Sequence, residues 1–292
     1  MRFGLALALA SLLAGCYTPE PTSLAEPVGR FHWTDSVPWF GGFSAVAMSD
    51  DGAILWALSD GGWLTRVALR RDGPAIAGAE IRQYWRLKTT DEDLLTGHRG
   101  DAEGLARTPD GTLFVSFEFE HFLRRYDDPS AAATWQTKPP NTRILGRNKS
   151  FESLARDADG VLYVIPEHPR VDHRGFPVYA FDRGTWRFAF GLPRRNGYLA
   201  TSAEFGPDGK FYLLERRLRP IGFQSRLRRW TIQAGSPTDE TLVLETEVGA
   251  HDNLEGMSLW QDAAGRLRLT LISDDNKFSL QKTEIVEFIL TE

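Results

Sequence analysis

Acidic side chains recur at the two ends of a short segment that occurs five times along this chain. Three of the five copies open on a glutamate, and Asp101 precedes one of these openings. Every copy closes on an acid, and the closing residues are Asp60, Glu118, Glu167, Glu215 and Asp274. Carboxylate oxygens are the preferred ligands of hard divalent cations such as calcium. If the fold brings the segment ends together, the pattern predicts a calcium site with six candidate ligands: Asp101, Glu103, Glu152, Glu215, Glu255 and Asp274.

Basic residues lie beside these acids in the sequence and allow two interpretations. They could pair with acids of a neighbouring repeat and serve packing alone. They could instead bind an anionic group of a small substrate, because guanidinium groups match phosphate and carboxylate oxygens. Under the second hypothesis, Glu152 forms a catalytic set with four basic residues: Arg147, Lys149, Arg216 and Lys277.

Each repeated segment has the pattern of a β-hairpin. In the third copy, Leu154–Arg156 and Val161–Ile165 are apolar runs separated by a turn that contains Asp159 and Gly160. Asp-Gly supplies the positive φ that tight turns between strands require. Successive turn glycines are 59, 49, 49 and 56 residues apart (111−52, 160−111, 209−160, 265−209). Periods of this length without a helical motif predict propeller blades of about four strands.

The fold class that we predict is all-β, a single β-propeller with five blades or, alternatively, six. Only one strand, Glu284–Leu290, follows the fifth hairpin, so we expect Gly29–Trp33 to complete that blade and close the ring. The first strand of each hairpin leaves one face of the ring and the second strand returns to it. The acids at the segment ends should therefore share one face.

The N-terminus resembles a bacterial lipoprotein signal. Arg2 precedes an apolar run that ends in Leu13-Ala14-Gly15-Cys16, and Cys16 is the single cysteine. We expect residues 1–16 to be the signal, Cys16 to carry lipid, residues 17–29 to be an extended linker and residues 30–292 to be the propeller. The predicted location is the cell envelope, at the periplasmic face of the outer membrane, with the lipid as the only membrane contact.

Composition and charge restrict the possible partners. The 292 residues are 42% hydrophobic and 25% charged, with a net charge of −5, as expected for a folded globular chain and not for a nucleic-acid-binding one. We expect a monomer. Six arginines alternate with other residues near position 220, which predicts a solvent-facing outer strand, with polyanion binding as the alternative: Arg216, Arg217, Arg219, Arg226, Arg228 and Arg229.

Several of these segments together resemble the bacterial family called esterase-like activity of phytase. The matching segments are Asp101–Leu105, Asn148–Ala155, Leu214–Arg217, Asn253–Gly256 and Ser273–Phe278. The resemblance implies an envelope-located propeller and a calcium-dependent phosphoesterase. Two alternatives stay open: a metal-dependent lactonase of the gluconolactonase type, with Asn148 and Asn253 as ligands, and a non-catalytic scaffold or binding propeller.

Overall fold

The computed structural model describes residues 23–139, 151–167 and 175–291, which form five four-stranded antiparallel sheets. Blade 1 contains β2 (Phe43–Met48), β3 (Ile54–Ser59), β4 (Trp63–Asp72) and β5 (Ala75–Arg86). Blade 2 contains β6 (Ala102–Arg107), β7 (Leu113–Phe117), β8 (Phe122–Tyr126) and β9 (Trp135–Thr137). Blade 3 contains β10 (Ser153–Arg156), β11 (Leu162–Ile165), β12 (Gly175–Asp182) and β13 (Thr185–Pro193). Blade 4 contains β14 (Leu199–Phe205), β15 (Phe211–Arg219), β16 (Gly222–Gln233) and β17 (Ser236–Glu245). Blade 5 contains β18 (Asn253–Gln261), β19 (Leu267–Asp274), β20 (Glu284–Leu290) and β1 (Ala25–His32). The five-bladed prediction is therefore confirmed.

Blade 5 is completed by the two ends of the chain, as the sequence predicted. Strand β1 pairs antiparallel with β20, and the register runs from Ala25 opposite Leu290 to His32 opposite Glu284. Because β1 begins at Ala25, the predicted domain start at residue 30 was too late and the predicted linker too long. Pairing the termini removes an open sheet edge from the ring.

The innermost strands β2, β6, β10, β14 and β18 surround the axis, and each contacts the innermost strand of both neighbouring blades. Five apolar clusters are buried, one between each pair of adjacent blades. Between blades 4 and 5, for example, Leu214 and Leu227 are buried with Leu254 and Leu271. Since a single sheet cannot cover both of its faces, these five interfaces hold the ring together.

Each inner hairpin turns at a glycine with positive φ, from 67° at Gly52 to 97° at Gly111. This conformation is accessible to glycine without strain, which explains the Asp-Gly signal in the sequence. All five inner turns lie at one end of the axial channel. The residues that open β2, β6, β10, β14 and β18 lie at the opposite end, which we call the acidic rim.

Helical structure is minor in the part of the chain that the structure describes. A 3-10 helix, Gly97–Gly100, is the one helical element there, and none is long and apolar enough to span a bilayer. Cys16 and the predicted signal lie outside the described residues, so lipidation stays a prediction.

Candidate active site

A bulge at the start of the innermost strand aims side chains into the channel. The strand register skips one residue at Ser44, Glu103, Thr201 and Glu255, which are the opening residues of four repeats. A β-bulge bends the strand and redirects the extra side chain. In blade 3, Glu152 precedes the first strand residue, Ser153. The same local distortion therefore recurs around the acidic rim.

Three carboxylates of blade 2 form the group that is best arranged for a metal ion. One ligand oxygen each from Asp101, Glu103 and Glu118 lies within 4.8 Å of the others. Glu103 is at the bulge, and Glu118 follows the end of β7. Glu118 was predicted on this face but not as a ligand. Its position directly after the second strand was the signal that could have identified it.

The acids of neighbouring blades are close enough to influence one another electrostatically. Burial raises the pKa of Glu103 well above its usual range, and the charges of Glu152 and Glu255 raise it further. Burial likewise raises the pKa of Glu152, with the charge of Glu167 as the next cause. Carboxylates from blades 2, 3 and 5 thus face a common space and lack enough positive charge to keep all of them ionised.

Arg216 of blade 4 is the main cation in this space. Its guanidinium donates to Asn253 and Glu255 of blade 5 and, at 3.3 Å, to Glu167 of blade 3. Burial alone would lower the pKa of Arg216, but the charges of Glu255 and Glu152 raise it, so the group stays protonated. The side chain remains 18% exposed. Arg216 therefore links three blades and still reaches solvent at the mouth of the channel.

Blade 5 contributes a second cation on a tightly held loop. The ammonium of Lys277 lies 2.9 Å from Asp60 of blade 1 and is half-exposed. Asn276 and Lys277 have φ values of 48° and 51°, a conformation that costs energy for residues other than glycine. Two hydrogen bonds hold the loop in this conformation: the backbone N–H of Asn276 donates to the Asp274 carboxylate, and the backbone N–H of Lys277 donates to the Asp275 carboxylate. Burial and the charge of Glu255 raise the pKa of Asp274 to about 8.

Glu215 is a candidate metal ligand that pairs inside its own blade and does not join the acids that face the shared space. Its carboxylate is fully buried and accepts hydrogen bonds of 2.6 to 2.9 Å from Arg226 and Arg228. The expectation that these arginines lie on a solvent-facing strand was wrong: Arg226, Arg228 and Arg229 are all buried. Glu215 with its two arginines is an ion-pair network inside blade 4.

Two candidate catalytic residues, Arg147 and Lys149, lie outside the described residues, and so does Asn148. The remaining candidates on the acidic rim are placed as follows. Glu152, Glu255 and Arg216 face the space that the blades share. Asp101 and Glu103 belong to the blade 2 group. Asp274 and Lys277 border the shared space from blade 5.

A family model described as esterase-like activity of phytase, or phytase-like, matches residues 38–277. The chain belongs to this phytase-like family. The match spans all five blades and every acid of the rim. No curated protein matches the chain.

Solved structures similar to this phytase-like chain come from several organisms. Hydrazine synthase of Kuenenia stuttgartiensis is 17% identical, with 90% of this chain and 67% of that chain covered and a TM-score of 0.46. A protein of unknown function from Dyadobacter fermentans is 8% identical, with coverages of 92% and 99% and a TM-score of 0.47. A catalytically inactive virginiamycin B lyase from Staphylococcus aureus, with quinupristin, is 10% identical, with coverages of 90% and 99% and a TM-score of 0.45.

Proposed function

We propose that the acidic rim is the active site of a calcium-dependent phosphoesterase that acts on a small anionic substrate. The observation that carries this proposal is the close group of Asp101, Glu103 and Glu118 on the rim that also holds the part-exposed guanidinium of Arg216. A group of oxygen ligands next to a phosphate-binding cation is the combination that metal-assisted phosphate ester hydrolysis needs.

The donor set fits calcium. All three groups are carboxylates, which are hard oxygen ligands, and calcium accepts varied geometries of such ligands. Burial raises the pKa values of Glu103 and Glu152, and neighbouring carboxylates raise them further, so a divalent cation would offset negative charge here. Bound calcium would polarise a phosphoryl oxygen and orient a water molecule.

The side chains of the protein would bind and orient the substrate. Arg216 can direct its guanidinium to phosphate oxygens because Glu167, Glu255 and Asn253 fix its position. Lys277 offers a second positive charge from a loop of blade 5 that contacts Asp60 of blade 1. These cations also attract an anion towards a rim that would otherwise repel it. Arg147 and Lys149 remain proposed members of this set.

The proposal is tested on the full chain by calcium content after dialysis and by hydrolysis of p-nitrophenyl phosphate, phytate and gluconolactone. We expect bound calcium, together with phosphate release that a chelator abolishes and added calcium restores. Glu103→Gln and Glu152→Gln should each reduce turnover by about 100-fold or more, since even residues that only support metal ligands contribute about 10- to 100-fold. Glu80→Gln is the matched control, because Glu80 is an exposed acid on outer strand β5.

Three results would contradict the proposal. Phosphate release that survives complete removal of calcium would rule out the metal, and full activity of Glu103→Gln would rule out the blade 2 group. Hydrolysis of gluconolactone without phosphate release would favour the lactonase function instead.

A further inference from the structure

The axial channel opens at its turn end into a cavity that is separate from the acidic rim. Its volume is about 360 Å³, and it is lined by all five innermost strands and by the turns that follow β2, β6 and β14. No acid of the rim belongs to this lining. Glu103 and Arg107 are four residues apart on one strand, so the two ends are about 13 Å apart along the channel. The volume is within the range of about 300 to 1,000 Å³ that small-molecule sites occupy.

Two arginines stand at equivalent positions at the mouth of this cavity. Arg107 and Arg156 each follow Leu-Ala, at the ends of β6 and β10 in neighbouring blades 2 and 3. Among the described residues, neither has a carboxylate partner, and the buried Nε of Arg107 has no hydrogen-bond acceptor. The guanidinium of Arg107 lies 5.6 Å from the ring centre of Trp56.

This lack of a carboxylate partner contrasts with the ion pairs that three buried arginines make elsewhere in the ring. Arg226 and Arg228 share Glu215, and Arg268 pairs with Glu287 at 2.9 Å. A part-buried guanidinium without an anion is costly, because burial disfavours a charge that nothing compensates. An anionic ligand would supply the missing acceptors for Arg107 and Arg156.

Two acids also line the cavity, but neither neutralises the arginines. The carboxyl of Glu204 accepts a 2.7 Å hydrogen bond from the backbone N–H of Leu259, which ties it to blade 5. Burial raises the pKa of Glu204 to about 8, so it is largely uncharged at neutral pH and does not repel an anion. Asp50 is exposed to solvent and has no ion pair with either arginine.

Apolar side chains form part of the cavity wall, which also carries polar groups. Behind the arginines, side chains from four blades line the channel, among them Val46, Met48, Leu105, Leu154, Met257 and Leu259. A ligand that fills this space should therefore combine one anionic group with an apolar part. The anionic group would then contact the arginines, and the apolar part would contact the apolar side chains of the wall.

We propose that the cavity at the turn end of the channel binds a small organic anion, with its charged group on Arg107 and Arg156 and its apolar part against the channel wall. This site goes beyond the hydrolytic function proposed for the acidic rim and does not depend on it.

The test is isothermal titration of the full chain with octanoate, inorganic phosphate and 1-octanol. Octanoate should bind more tightly than either probe, because phosphate lacks the apolar part and octanol lacks the charge. Arg107→Gln and Arg156→Gln should each weaken octanoate binding by about tenfold or more, as expected for a lost charged hydrogen bond. Arg187→Gln is the matched control, since Arg187 is exposed on outer strand β13 of blade 3.

Circular dichroism of each variant establishes that the ring is folded. Glu103→Gln should bind octanoate as the unmodified chain does, which separates this site from the rim even if the phosphoesterase proposal fails. Absence of octanoate binding at about 10 mM probe would overturn the proposal, because binding that weak has no useful specificity. Equal binding by the unmodified chain and both arginine variants would overturn it as well, and so would equal binding of octanoate and octanol.

Discussion

The two ends of the axial channel differ in charge although the same five strands build both. At the rim, acids from several blades meet Arg216 and Lys277. At the turn end, two arginines line a cavity whose wall is partly apolar. The difference follows from position within the repeat: β6, β10 and β18 each begin within two residues of a glutamate, and β6 and β10 end at an arginine. Because the unit is repeated around the axis, the residue type at one position of the repeat sets the charge of a whole face of the ring.

The comparison extends to Glu215, which occupies the same place in the repeat as the rim acids but is paired inside blade 4. Glu215→Gln should lower the free energy of unfolding by about 3 to 5 kcal/mol, because it leaves Arg226 buried without an anion and removes one of the two carboxylates that Arg228 contacts. Urea denaturation measures this loss. Calcium binding of the folded fraction should be unchanged, and a variant that lost calcium but kept its stability would place Glu215 functionally on the rim.

Substitution of Arg216 separates substrate binding from metal binding at the rim. Arg216→Gln should reduce kcat/KM for an anionic substrate by about 100-fold, since removal of one charge-stabilising donor typically costs that much or more. Calcium affinity should rise, because a positive charge beside Glu255 and Glu152 has been removed. Kinetics and calcium titration on the same protein check both effects. Weaker calcium binding would contradict this division of roles.

Calcium affinity should depend on pH at the rim. Because the pKa values of Glu103 and Glu152 are raised, the free site holds protons that a cation must displace. The affinity should therefore increase from pH 6 to pH 8, by at most tenfold per pH unit for each proton released. Calorimetry in two buffers of different ionisation enthalpy measures the protons released. A pH-independent affinity with no proton release would show that the acids are already ionised.

At the turn end, Glu204 should link stability to pH. Its pKa is raised from 4.5 to about 8 by burial, so between these values the folded chain keeps a proton that the unfolded chain releases. The contribution of Glu204 to the free energy of unfolding is complete below about pH 4.5. It decreases as the pH rises to about 8, with a slope of at most about 1.4 kcal/mol per pH unit. The melting temperature of the unmodified chain should therefore fall relative to that of Glu204→Gln as the pH rises from about 4.5 to about 8. Parallel curves would refute the linkage.

Much of the fold could be predicted from the sequence, because its signals are local. Turn glycines between apolar runs, four of them in Asp-Gly and one in Ala-Gly, identified each inner hairpin, and the strand Glu284–Leu290 was predicted with its observed limits. The placement of the acids on one face followed from strand direction alone. The register skips at Glu103 and Glu255 could not be predicted, since a bulge depends on pairing with a partner strand.

Blade 4 shows most clearly where sequence reasoning ended. Strand β7 stops before Glu118, but β15 continues past Glu215 to Arg219. Glu215 therefore lies within the sheet, directly opposite Arg226, and alternation along the strand turns Arg216 to the other side. A spacing that looks equivalent in the repeat thus gives an internal ion pair in one blade and a rim carboxylate in another.

The sequence by itself determined the repeated blade and the end of the channel at which the acids are found, because both depend on a repeat of hairpins and on the direction of adjacent strands. Only the tertiary structure decided that the ring has five blades, which acids share one space, which one is paired elsewhere, and that two arginines at the other end have no carboxylate partner among the residues that the structure describes. Those outcomes depend on bulges, strand lengths and contacts between blades, which join residues far apart in the chain.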